Sequence, residues 1–266
     1  MDRRRLLTLG GSVALLSLAA GCSGPLPGLG SGGGDLPARA ECVPRSALEP
    51  HRSMAGLPLV YEPDRSRASF SFDGAFFGRL EDWAAALEDT LPAAPTQLWT
   101  YGAWVDGRGS CDSWHHAGRA FDLARVRLRD GSEVSCRYDR WRELDGSALE
   151  VARRSYWSLA AGLHRRFSYV LTYLYDDQHA NHIHVDNGRS GATDSTFSPR
   201  SRVQVQAVQA LCRYLWDEPV ELSGQWDSPT RQAAGRVLDG LGLDDELTSR
   251  ASWSGLLDAS AARGRG

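Results

Sequence analysis

Apolar residues recur at helical spacing in two long stretches of this chain and alternate with polar ones in several short stretches. Leu80, Trp83, Leu87 and Leu91 predict a helix over 79–91, closed by Pro92. Val151, Tyr156, Leu159 and Leu163 predict a second over 149–167. Strands are predicted at 68–73, 97–102, 121–128, 133–136, 169–175 and 182–186, and the rest of 39–78 reads as loop. Asp130-Gly131 between two of these strands predicts a hairpin. Strands in hairpins with helices between them predict an α+β fold, an antiparallel sheet with flanking helices.

After about residue 200 the pattern becomes purely helical. Val208, Leu211, Cys212 and Leu215 mark one helix. Ser228 as N-cap and Pro229 in the first turn open another, which carries Ala233, Ala234, Val237 and Leu238 and ends at Gly240 and Gly242. A third buries Trp253, Leu256 and Leu257. The chain therefore divides into a main domain over 39–198 and a small three-helix unit over 199–266, small enough to be marginal alone.

The first residues read as address rather than fold. Asp2-Arg3-Arg4-Arg5-Leu6-Leu7 fits a twin-arginine export signal, and the apolar run that follows is too short for a transmembrane helix. Leu18-Ala-Ala-Gly-Cys22 resembles a lipobox, which makes Cys22 the expected lipidation site. A Gly- and Ser-rich tether follows over 23–38. The expected location is the outer face of a bacterial membrane or the wall beyond it.

Composition changes this picture little. The 266 residues carry a net charge of -3, which gives no case for nucleic acid. The chain is read as a monomer. Four cysteines remain after Cys22, and an even number in an exported chain predicts two disulfides. Three pairings are possible. The one favoured joins Cys111 to Cys136, which flank the first histidine cluster, and leaves Cys42 with Cys212.

The chemistry concentrates in two places. Five of the seven histidines fall in Ser113-Trp-His115-His116-Ala-Gly118-Arg119-Ala-Phe-Asp122 and in His179-Ala-Asn-His182-Ile-His184-Val-Asp186. A zinc site needs three N or O ligands and an open fourth position. His115 and Asp122 converge only if a turn at Ala117-Gly118 breaks strand regularity. His182 and His184, two apart on a strand, face the same way, so one can ligate while the other reaches the reacting atoms. His116 points away, and His51 and His164 are expected on the surface or in packing. Trp99, Tyr101 and Trp104 are expected as core, with a glycan or peptide cleft as the other option.

These blocks, with Asp130-Gly131 between them, resemble the extensin-like C-terminal domain within the zinc superfamily of lysostaphin-type enzymes, D-alanyl-D-alanine metallopeptidases and hedgehog domains. The resemblance covers about residues 75–190. It implies that His115, Asp122 and His184 bind Zn2+ and that His182 is catalytic. Ser113 and Asp186 would orient the ligands, and His179 and Arg119 would face the pocket or substrate. Val205-Gln-Ala-Val-Gln-Ala-Leu211 and Gly224 to Thr230 resemble a peptidoglycan-binding domain. The expected function is a zinc-dependent carboxypeptidase or endopeptidase acting on peptidoglycan peptides. The rival is a non-catalytic, zinc-stabilised peptidoglycan-binding lipoprotein.

Overall fold

The computed structural model describes residues 40–188, 193–244 and 246–265. The expected export signal and tether, with Cys22, lie outside the described residues. In chain order the elements are β1 (Glu49–His51), β2 (Ser53–Met54), β3 (Leu57–Tyr61), β4 (Ser66–Arg67), β5 (Phe70–Phe72), α1 (Gly74–Ala85), β6 (Pro95–Gly102), β7 (Ala120–Leu128), β8 (Glu133–Ser135), α2 (Tyr138–Trp141), α3 (Gly146–Arg166), β9 (Tyr169–Leu171), β10 (Ile183–Asp186), α4 (Arg202–Leu215), α5 (Ser228–Gly240) and α6 (Arg250–Ala262). The fold is α+β.

Strands β2, β3, β6, β7, β10 and β9 lie side by side in that order, with β4 paired to β3 and β8 to β7. Every pairing is antiparallel except β3 with β6. β1 and β5 form a separate ribbon. The stretch expected as loop before residue 68 therefore holds four short strands. Ala55 and Gly56, both at positive φ, close the two-residue turn between β2 and β3. The hairpin at Asp130-Gly131 forms as expected, with Val126 opposite Val134. Asp130 Oδ1 accepts the Ser132 N–H at 3.0 Å.

Helix α1 begins five residues before its predicted start. Asp73 is its N-cap, and its Oδ1 accepts the Phe76 N–H at 2.9 Å. Helix α3 buries Tyr156, Trp157, Leu159 and Leu163 against the sheet, but Val151 is 63% exposed. Five residues turn a helix about 140° past a whole turn, which carries Val151 off the apolar face. The strand expected to run from Tyr169 to Tyr175 stops at Leu171. Tyr173 beyond it stacks on Tyr138 at 3.9 Å and accepts the Trp157 indole N–H at 3.2 Å.

The cysteines pair differently from expectation. Cys42 bonds Cys111, with their Cα atoms 5.1 Å apart, while Cys136 and Cys212 are free and buried. Cys136 sits under α3 at the end of β8, and Cys212 is inside α4. Neither lies beside the exposed loop that carries Cys111, and a disulfide tolerates Cα separations only up to about 7 Å. Burial raises both thiols, Cys212 to about 12.

Packing, not a disulfide, holds the C-terminal helices. Their buried Val208, Leu211, Trp253 and Leu257 join the same apolar core as α3 and the sheet. Glutamines expected in a wall-binding helix serve this join. Gln206 donates to Leu174 O at 2.7 Å and Gln204 to Thr196 O at 2.9 Å. Gln209 accepts the Gly224 N–H at 2.8 Å and donates to Thr230 Oγ1 at 2.9 Å. The N-cap of α5 is Asp227 rather than Ser228, and it accepts the Thr230 N–H at 2.9 Å.

His164 lies in the seam between α3 and α6, edge-on to Trp253, with neither ring nitrogen hydrogen-bonded. Burial alone lowers its pKa to about 3. The unfolded chain binds that proton near pH 6.5, so stability is lost as the pH falls from 6.5 toward 3. At pH 5 this group costs about 2 kcal/mol of folding stability. Urea unfolding of the wild type and His164→Leu at pH 7 and pH 5 should show the variant losing that much less stability on acidification. Equal losses would show that His164 is not the acid-sensitive group.

Candidate metal centre

The site is built by three segments that meet at one end of β7. Asp122 lies on β7 directly opposite His184 on β10 and opposite Gly102 on β6. Facing residues in an antiparallel pair hold their Cβ atoms about 4.5–5.5 Å apart, so the Asp122 and His184 side chains must meet. Gly102 adopts φ +140°, a conformation open to glycine, and presents no side chain to Asp122. Thr100 Oγ1 donates to Asp122 O at 2.7 Å and fixes that strand segment from below.

His115 arrives on a one-turn 3-10 helix, Trp114–Ala117. Ser113 caps the turn, its hydroxyl accepting the His115 N–H at 3.3 Å. Gly118 ends it at φ +66°, and a Cβ there would stand 2.8 Å from Leu48. The break expected at Ala117-Gly118 is therefore present and requires glycine. The loop is tied down on its other side. Val43 N donates to His116 O and the Trp104 indole to Val43 O, both at 2.9 Å, next to the Cys42–Cys111 disulfide.

His115 Nε2 lies 3.2 Å from both His184 Nδ1 and Asp122 Oδ2, and His184 Nδ1 lies 2.9 Å from Asp122 Oδ1. These three residues form a group that could hold a metal ion. The outer nitrogens are already engaged. His115 Nδ1 donates to Ala103 O, and His184 Nε2 donates to Asp186 Oδ2 at 3.0 Å. Asp186 is itself held by the Gly188 N–H at 2.6 Å. A neutral imidazole that donates from one nitrogen keeps a lone pair on the other. Two lone pairs and a carboxylate thus face one another, an arrangement that repels itself unless a cation sits among them. Metal-binding histidines are anchored through the far nitrogen in this way.

The ionisation pattern agrees. Burial opposes charge on His184, but hydrogen bonds and charge from Asp122 and Asp186 outweigh it and raise the imidazole to about 10. Burial also opposes charge on Asp122, yet His115 and His182 hold its carboxyl well below the usual carboxylate range. In the metal-free protein a proton therefore plays the part of the cation.

His182 stands beside this group. Its Nε2 is 3.4 Å from Asp122 Oδ1, its Nδ1 is 2.6 Å from Asn181 Oδ1, and burial lowers it to about 4. His179 is buried, with Nδ1 2.6 Å from Asp176 Oδ1. With His182 and His184 it forms a second group able to hold a metal. Its ring centroids are 5.3 and 5.9 Å from theirs.

The other expected residues fall as follows. Asp186 and Ser113 brace ligand residues, Ser113 through the backbone. Arg119 stacks over Trp114 and donates to Gly188 O at 2.9 Å, which ties the two strand ends. His116 belongs to neither group and lies 3.7 Å from Asp112. Trp99 and Tyr101, expected in the core, line an open cleft instead, and Tyr101 meets His182 edge-on at 6.0 Å. Ala103, Asn181 and Asp176 escaped the sequence reading. The two side chains adjoin the second histidine cluster, but a backbone carbonyl acceptor such as Ala103 carries no residue signature.

Residues 104–195 match the family described as extensin-like protein C-terminus, a stretch that contains both histidine clusters and strands β7 to β10. Neither the curated proteins nor the solved structures contain a match to the chain.

The disulfide sits next to the loop that delivers His115. Cys42→Ser/Cys111→Ser should weaken metal binding about 10- to 100-fold in a chelator competition, the range seen when support behind a ligand is lost, while far-UV circular dichroism keeps its folded form. Unchanged affinity would show that the hydrogen bonds from Val43 and Trp104 suffice.

Proposed function

We propose that this chain is an exported, lipid-anchored zinc hydrolase that cuts amide bonds in peptidoglycan peptides, as a carboxypeptidase or an endopeptidase. The observation that carries the reading is the convergence of His115 Nε2, Asp122 and His184 Nδ1, with each imidazole anchored from behind. Two nitrogens and a carboxylate oxygen suit zinc better than the all-oxygen shells of calcium or magnesium. Zinc bonds of about 2.0–2.1 Å at tetrahedral angles place ligand atoms about 3.3 Å apart. The separations here, 2.9 to 3.2 Å, are close to that.

Zinc held by these residues would supply Lewis acidity and an activated water near neutral pH. The chain's own groups do the rest. His182 sits beside the ligands without being one of the three, its ring oriented by Asn181. Its Nε2 takes a proton from the attacking water and returns it to the leaving amide nitrogen. Asp186 holds the His184 ring, and Ala103 holds the His115 ring.

Export is supported from two sides. The first residues carry an arginine-rich signal and a lipobox ending at Cys22. The Cys42–Cys111 disulfide fits an oxidising compartment. No helix among the described residues is long and apolar enough to cross a membrane, so the anchor in this reading is the lipid on Cys22.

Muropeptides incubated with zinc-loaded protein, and followed by mass spectrometry, should yield cleaved peptides that disappear with a chelator. His182→Ala should keep its zinc and lose at least about 10²-fold in turnover. His184→Ala should lose both zinc and turnover. Zinc bound at full occupancy with no product would favour the non-catalytic wall-binding lipoprotein. Equal zinc loss in both variants would overturn the division of roles.

A further inference from the structure

An open cleft of about 660 Å³ is lined from β6, β7 and the segments after β3 and β8, and it meets His182 through Tyr101. Trp99 and Tyr101 on β6 line it. Five arginines also line it: Arg65, Arg125, Arg127, Arg137 and Arg140.

These arginines fall into two sets. Arg125 and Arg137 are held by buried Glu62, and Arg125 and Arg127 by Glu133. Arg137 also pairs with Asp139 at 2.6 Å. Arg65 and Arg140 are exposed and form no close ion pair among the described residues, although the charge of Arg140 is felt by Asp139. Five guanidiniums against three carboxylates leave two positive charges in the cleft, and the unpaired pair are the ones open to a ligand. Arg65 is held at φ +62°, a left-handed conformation that residues with side chains rarely adopt.

The two free arginines stand on opposite flanks. Arg65 follows β3, and Arg140 lies on α2 beyond β8, with β6 and β7 between. Three strand spacings of about 4.8 Å separate those flanks by about 14 Å. Each side chain reaches inward, so two carboxylates held by them would lie a few residues apart on an extended chain. Guanidinium forks match carboxylates, and the parts of the Trp99 and Tyr101 rings not covered by Arg125 and Arg137 suit the apolar parts of a peptide. Two dispersed charges do not make the focused positive field that a polyphosphate or nucleic acid needs.

We propose that this cleft is a binding site for an acidic peptide, whose carboxylates are held by Arg65 and Arg140 and whose chain passes Tyr101 toward His182. This names the substrate-binding surface of the hydrolase proposed above and rests on that reading for its direction, though not for its binding.

Calorimetric titration of the full chain, kept metal-free with a chelator, tests it without turnover. The probes are end-capped Glu-Ala-Ala-Glu, end-capped Gln-Ala-Ala-Gln, inorganic phosphate and a galacturonate trimer. The acidic peptide should bind at least about tenfold tighter than the neutral one, more so at low salt. Arg65→Gln/Arg140→Gln should abolish that difference with its unfolding curve unchanged, since both residues are exposed. Equal binding of the two peptides, tighter binding of phosphate or galacturonate, or an unaffected double variant would overturn the proposal. Acidic-peptide selectivity in a protein that cuts no muropeptide would sink the hydrolase reading and leave the cleft standing.

Discussion

The antiparallel register between β7 and β10 sets what this protein can bind. Asp122 faces His184 across one strand spacing, and the Phe121–Val185 and Leu123–Ile183 pairs on either side are fully buried. A slip of one residue would turn those apolar side chains out and send Asp122 and His184 into the core. The hydrophobic face of the sheet thus enforces a contact between polar groups on its other face. Burying those groups costs free energy unless a cation joins them, so the same register that stabilises the fold also builds a place that a proton or a metal ion could fill.

The third candidate ligand comes from a less regular source. His115 rides on a single 3-10 turn between a capping serine and a left-handed glycine, on a loop that no strand pairing restrains. What holds it is a set of local devices: Ser113, Gly118, hydrogen bonds from Val43 and Trp104, and the disulfide to Cys42. Two candidate ligands on rigid strands and one on a braced loop have His182 beside them, and Tyr101 of the arginine-lined cleft meets His182. Behind the sheet, α3 and the C-terminal helices form one continuous core, which keeps the site on a firm base.

Much of this was readable from local pattern. The His-x-His spacing put His182 and His184 on one side, Asp130-Gly131 marked its hairpin, and Gly118 marked the break that lets His115 approach Asp122. Elements that depend on distant partners were not readable. Cys42 has no local feature that points to Cys111, and the parallel pairing of β3 with β6 joins segments far apart in the chain. Trp99 and Tyr101 look like core because apolar alternation cannot say which face of a strand is covered. Gln206 and Gln209 of α4 fall in the stretch that resembles a peptidoglycan-binding domain, and their amides are used within the fold.

The central claim is that His115, Asp122 and His184 hold the metal, rather than the neighbouring trio of His179, His182 and His184. X-ray absorption at the zinc edge on the zinc-loaded chain separates the two directly. The account predicts two imidazoles and oxygen ligands at about 2.0–2.1 Å, with one imidazole left, or no zinc, in His115→Ala. Three imidazoles in the wild type, unchanged by His115→Ala, would contradict it.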